Sequence, residues 1–144
     1  MSLLSWNPSF SVGLPSIDHE HLELMELVNQ IHDELRGSAP ESDLRISLLR
    51  LSTHVLKHFW NEEKLFMGTS YPRADAHARK HACLLASLET FQKNVIPDGQ
   101  SFALEEQLEF LRYWLMDHIT SEDIWLGAYL TRHELPPSSS ELEL

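Results

Sequence analysis

Four long segments of this chain carry histidine on the stripe that should face a hydrophobic core. That placement constrains the fold and the chemistry together. Glycine and proline interrupt the interior at Gly37 to Pro40, Gly68 to Pro72 and Pro97 to Gly99. The intervening segments, about 19–36, 42–67, 74–95 and 102–130, contain no proline. In each, apolar residues recur every three or four positions, which is the helical period. The first segment aligns Asp18, His21, Met25, Val28, His32 and Leu35; the second Leu44, Leu48, Leu51, Val55, His58, Glu62 and Leu65. The third aligns Ala74, His77, His81, Leu84, Leu88, Phe91 and Val95, and the fourth Leu104, Leu108, Leu111, Leu115, His118, Glu122, Trp125 and Tyr129. Amphipathic helices with short connections pack as bundles. The sequence therefore predicts an all-α fold: an up-down-up-down antiparallel four-helix bundle with an extended N-terminal arm over 1–17. One domain is expected over residues 1–130, with a disordered tail over 131–144 that is rich in serine and glutamate beyond Pro136 and Pro137.

Each polar group buried on such a seam without a partner costs about 1–3 kcal/mol. The heights of these groups show how they can be satisfied. His21 lies about 16 residues before the first break, His58 about 16 after the second helix begins, His81 about 14 before the third ends and His118 about 16 after the fourth begins. At ~1.5 Å per residue, all four sit roughly 21–24 Å from one end of an antiparallel bundle. Unrelated core histidines have no reason to share a level. His58 and Glu62 are four apart, as are His77 and His81, so each pair shares a face. His118 and Asp123 are five apart, about 140° around an ideal helix. That spacing requires either a wide bite around a metal or a π-bulge. Strict counting puts Glu122 on the seam, so periodicity does not select Asp123 over it.

Five imidazoles and two carboxylates exceed the needs of one ion, since a single zinc site takes four ligands. Two six-coordinate ions sharing two bridging carboxylates suit the set, with histidines divided three and two. A bridging oxygen then fills one ion and leaves a vacancy on the other for a small molecule. Iron, zinc, copper and nickel all accept imidazole-rich ligation, so ligand type does not choose the metal.

Composition removes other classes. The 144 residues suffice for one domain, and 11 basic against 22 acidic residues give a net charge of −11, which repels nucleic acid. Cys83 is the single cysteine, so no internal disulfide forms. No apolar run approaches a membrane span, and the first basic residue is Arg36, so a secretory n-region is missing and a cytoplasmic location is expected. His19-Glu20-His21 is too compressed for a zinc-protease helix. The absence of a Glu-x-x-His pair argues against a ferritin-like carboxylate-rich site.

The pattern over about residues 6–130 resembles the hemerythrin family in its single-domain bacterial form. The match runs through Trp6, Phe10, Val12, Gly13, Ile17, Asp18 and His21, then His58, Phe59, Glu62, Glu63 and Met67. It continues through Tyr71, Pro72, His77 and His81 to Trp114, Leu115, His118, Ile119 and Asp123. The resemblance implies two non-haem iron ions, oxo- or hydroxo-bridged, with Glu62 and Asp123 shared between them. It implies His77, His81 and His118 on the filled iron, and His21 and His58 on the open one, where dioxygen binds. Phe59, Trp114, Leu115 and Ile119 adjoin the ligands and are expected to wall the vacancy. Glu20, before His21, stands where glutamine is common in the family.

The remaining residues have plainer readings. His32 lies about 11 residues beyond His21, roughly 16 Å along the axis, and is read as a core-edge or solvated side chain. His54 is read as a surface residue, with a supporting role behind a ligand as the alternative. His19 and His133 are read as exposed, Met25 and Met67 as packing residues. The expected function is reversible dioxygen binding for carriage, storage or delivery by a monomer that is not an enzyme. The alternatives are an oxygen or redox sensor acting through a protein partner, and turnover of peroxide or nitric oxide at the same irons.

Overall fold

A computed structural model describes residues 3–37, 39–95 and 104–132. Helix α1 spans Pro15–Arg36, α2 Glu41–Met67, α3 Ala74–Val95 and α4 Leu104–His118. A π-helical turn over Ile119–Asp123 joins α4 to α5, Ile124–Arg132, so the fourth helix is continuous through a widened turn. No strand occurs among the described residues. Helix α1 begins four residues earlier than its apolar period indicates. The fixed φ and missing N–H of Pro15 suit the first helical turn. Thr131 and Arg132, assigned to the tail by sequence, close α5; the rest of that tail, His133 and the Pro97 to Gly99 break lie outside the described residues.

Helix α1 packs on α2 and α4, and α3 packs on α2 and α4, closing a ring of four. Individual pairs give their directions. His21 meets Asp123 near the start of α1, and Arg36 pairs with Glu105 at its end. Glu62 meets His81 while Gln92 bonds Ser52; His81 meets His118 while Phe91 stacks with Phe110. In each case an early residue of one helix meets a late residue of its neighbour. The core is lined by the expected seams, from Met25, Val28 and Ile31 through Leu48, Leu51 and Val55 to Leu84, Leu88, Leu111 and Leu115.

Three seam positions differ from the sequence reading. In α2 the seam steps by four from Glu62 to Phe66, 3% exposed, leaving Leu65 at 38% and Met67 at 77%. Met67 is therefore a surface residue and Met25 alone of the pair packs in the core. In the fourth helix the π turn inserts one residue into the repeat. The seam moves from Glu122 and Trp125 to Asp123 and Leu126, both 1% exposed.

Residues 3–14 pass along the bundle with one 3₁₀ turn, Pro8–Phe10. Leu4 exchanges two hydrogen bonds with the Asn29 side chain, at 2.7 and 2.8 Å. Asp18 accepts bonds from the Val12 N–H at 2.8 Å and the Ser11 hydroxyl at 2.5 Å. Gly13, at φ 83°, turns the chain between them. The segment then crosses α5 so closely that a Cβ on Gly127 would lie 1.9 Å from the Val12 carbonyl oxygen. Gly127→Ala is expected to force this crossing apart and lower unfolding free energy by about 1–3 kcal/mol, measured by urea denaturation. Wild-type stability in that variant would show that the crossing bears no load.

Candidate metal centre

The common level estimated from residue counts is real in the fold. His21 from α1, His58 and Glu62 from α2, His77 and His81 from α3, His118 just before the π turn and Asp123 at its end converge in the core. All seven are at most 2% exposed. Regular α spacing would swing Asp123 away from His118; the extra residue of the π turn returns it to the same face. Glu122, the alternative by counting, turns instead to Arg73, whose Nη2 donates to its Oε2 at 3.2 Å. Arg73 also lies over the Trp125 ring, 4.3 Å from its centroid. Asp123 is thus the acid brought to the histidines.

The two carboxylates divide their oxygens between two groups of imidazoles. Glu62 Oε1 faces the Nε2 atoms of His81, His77 and His118 at 3.0, 3.2 and 3.4 Å. Asp123 Oδ1 faces His118 and His77 at 2.9 and 3.1 Å. Their other oxygens serve the second group: Asp123 Oδ2 lies 2.6 Å from His21 and 3.5 Å from His58, and Glu62 Oε2 lies 3.0 Å from His58 and 3.8 Å from His21. Five histidines therefore separate three and two, with both carboxylates common to both groups. Ligand-capable atoms within each group lie within 4.8 Å of one another.

Donor chemistry fits metal ions at both positions. Glu62 Oε2 and Asp123 Oδ1 are buried and accept no hydrogen bond, although imidazole nitrogens lie about them. The Nε2 atoms of His21 and His58 are 3.2 Å apart, as are those of His81 and His118. Two N–H groups cannot point at each other at that distance, so at least one nitrogen of each pair presents a lone pair to the centre. Electrostatics show how tightly the set is coupled. Burial opposes charge on His118, but the Asp123 and Glu62 carboxylates outweigh it and raise the imidazole to about 10. Burial likewise opposes charge on His58, and Glu62, Asp123 and Glu20 drive it well above its ordinary value. His21 and His77 are raised against the same burial by bonds to Asp123 and Glu62. Burial would raise Glu62, yet His58 and its imidazole neighbours hold it far below the carboxylate range. Asp123 is depressed too, chiefly by His118 and His21 acting against burial and the charge of Glu62. A cation at either position would take over the role of the imidazole protons.

Two supporting carboxylates escaped the sequence reading, which admitted only Glu62 and Asp123 as acids of the site. His58 Nδ1 donates to Glu20 Oε1 at 2.6 Å, and His81 Nδ1 to Glu63 Oε2 at 2.7 Å. Each acid adjoins a central residue in sequence and was named in the family resemblance, but neither was given a place at the site. His32 stays outside, bonded to Asp33 and Arg36. His54 is at the surface, with Nδ1 on the Arg50 carbonyl. Cys83 is exposed, and His19, also at the surface, lies 3.8 Å from Glu23.

Beside the histidines lies a closed cavity of about 10 Å³, lined by Leu24, Val55, His58, Phe59, Leu84, Trp114, Leu115, His118 and Ile119. Phe59, Trp114, Leu115 and Ile119 are thus brought together as a wall. The Phe59 ring stacks on His81, 3.8 Å between centroids and 5° from parallel. The Trp114 indole N–H donates to the Leu84 carbonyl at 2.9 Å, so its polar edge is satisfied within the protein.

Comparison with known proteins agrees with this geometry. The family model described as Hemerythrin HHE cation binding domain matches residues 12–130. A bacteriohemerythrin of Clostridium acetobutylicum is 26% identical over 121 residues, covering 82% of this chain and 94% of that protein. One of Methylococcus capsulatus is 26% identical over 132 residues, 91% of this chain and 99% of that protein. A hemerythrin-like protein of Naegleria gruberi is 27% identical over 123 residues, 85% and 90% respectively. On its helical fold, its buried histidine–carboxylate cluster and the family match across most of its length, the chain belongs to the hemerythrin family.

Proposed function

We propose that this chain binds dioxygen reversibly at a non-haem di-iron centre, for carriage, storage or delivery. The observation that carries the reading is the sharing of Glu62 and Asp123 between a three-histidine and a two-histidine group. In this reading His77, His81 and His118 would hold one ion and His21 and His58 the other, with Glu62 and Asp123 serving both. The first ion then has five protein donors and the second four, which leaves the second with room for a small ligand. Bound iron would supply the redox couple on which reversible dioxygen binding depends.

The protein's own part is to keep the site dry and short of protons. Apart from His58 and His118, every residue lining the cavity is apolar. Its volume is at the lower limit for a single water. Its apolar lining makes entry of a charged group costlier than entry of a small neutral molecule. The Trp114 N–H is engaged by the Leu84 carbonyl, which leaves the wall of Phe59, Trp114, Leu115 and Ile119 without a free donor. Water and protons that would convert the oxygenated protein to its oxidised form are thereby excluded. No side chain positioned for acid–base chemistry lines the cavity beyond the two histidines, which favours binding over turnover.

The reading is tested on iron-loaded, reduced protein by its optical spectrum. Exposure to oxygen should produce a new absorption band, and removal of oxygen under argon should reverse it. A spectrum that does not change, or a change that never reverses, overturns the proposal.

Two substitutions probe the parts. His118→Ala removes a donor and leaves Glu62 and Asp123 short of a partner. Bound metal should fall below two per chain, and unfolding free energy should drop by about 3 kcal/mol, the scale for breaking a buried pair. His19→Ala, on the surface, should change neither; equal effects would contradict the placement of the centre. Leu115→Ala should admit water and speed loss of the oxygenated form several-fold in stopped-flow measurements. Leu88→Ala, also a buried core truncation but absent from the cavity lining, should leave that rate unchanged. An equal rate in both would show that the wall does not protect the site.

A further inference from the structure

The five histidines are not supported alike from behind. The Nδ1 atoms of His21, His77 and His118 are buried without a hydrogen-bond partner. Those of His58 and His81 each meet a carboxylate, Glu20 at 2.6 Å and Glu63 at 2.7 Å. One supported histidine belongs to each group: His58 stands with His21, His81 with His77 and His118. The two supports are also built differently. Glu20 comes from α1, reaches across to α2, and has its second oxygen held by Asn61 Nδ2 at 2.7 Å. Glu63 lies next to Glu62 on α2 and reaches across to α3.

We infer that Glu20 and Glu63 are positioning residues, each of which sets the metal affinity of one position: Glu20 that of the His21/His58 position, Glu63 that of the His77/His81/His118 position. This inference rests on the two-ion reading above. An imidazole that binds a metal through Nε2 must carry its proton on Nδ1. A carboxylate that accepts this proton fixes the tautomer, holds the ring in the orientation that aims Nε2 inward, and makes Nε2 the stronger donor. His58 is one of two imidazoles at its position and His81 one of three at the other. Loss of Glu20 therefore weakens a larger share of the nitrogen donors than loss of Glu63. The Asn61 bond adds to the difference, because it pins the second oxygen of Glu20.

The test is a Co²⁺ titration of the metal-free full-length chain, followed by visible absorption, for the parent, Glu20→Ala and Glu63→Ala. Alanine removes the acceptor of the Nδ1 proton, which glutamine would keep. Both glutamate side chains are partly exposed, 23% and 33%, so both variants should fold, with thermal unfolding of the metal-free chains close to the parent's. The parent should take up two ions. Glu20→Ala should weaken one uptake step by about tenfold or more, the usual scale for such a partner, and leave the other within about twofold. Glu63→Ala should weaken the other step, by a smaller factor. Weakening of the same step by both variants, equal weakening of both steps, or no change in either overturns the inference. A parent that takes up fewer than two ions overturns the two-ion reading, and the inference with it.

Discussion

Placing five imidazoles and two carboxylates inside a hydrophobic core is the constraint on which this structure depends. Each of these groups loses hydration on burial, and the loss must be offset within hydrogen-bonding or coordinating distance of the others. Scattered through a core of this size they would be ruinous. Gathered at one level they neutralise one another, as shown by the raised histidines and depressed carboxylates, and they leave a space between them that suits cations. The length of each helix, the placement of each break and the rotation of each seam all serve to bring these side chains to one height.

The fourth helix shows what that convergence demands locally. A regular α-helix cannot aim residues five apart at one centre. The π turn over Ile119–Asp123 accepts a weaker local backbone arrangement and in return places Asp123 beside His118. The same extra residue frees Glu122 to pair with Arg73 and brings Leu126 into contact with Phe66 and Tyr71. It also sets Gly127 under the N-terminal segment, where a side chain would collide with Val12. A single inserted residue thus organises the carboxylate, the pair behind it and the crossing of the terminal segment.

Much of this was legible in the sequence, and what was not has physical reasons. Helix number, breaks and six of the seven converging residues follow from period and height, because those depend on one helix at a time. The five-residue step from His118 to Asp123 announced a π-bulge or a wide bite, but could not tell Asp123 from Glu122; that required the position of Arg73 on another element. Leu65 and Trp125 were misplaced by a residue because a strict period cannot show where a seam steps by four or where a turn widens. Glu20 and Glu63 escaped because support for a ring from behind depends on how neighbouring helices are rotated, which one chain's periodicity does not contain. The wall of Phe59, Trp114, Leu115 and Ile119 was approachable through its neighbours in sequence, whereas the engagement of the Trp114 N–H depends on the Leu84 carbonyl of α3.

The central claim is that the buried cluster is built around two ions that share both carboxylates. Anomalous diffraction at the iron absorption edge from crystals of the iron-loaded protein tests it most directly. The account predicts two peaks, one among His77, His81 and His118 and one beside His21 and His58, with Glu62 and Asp123 reaching both. A single peak, or two peaks that do not share these carboxylates, would contradict it.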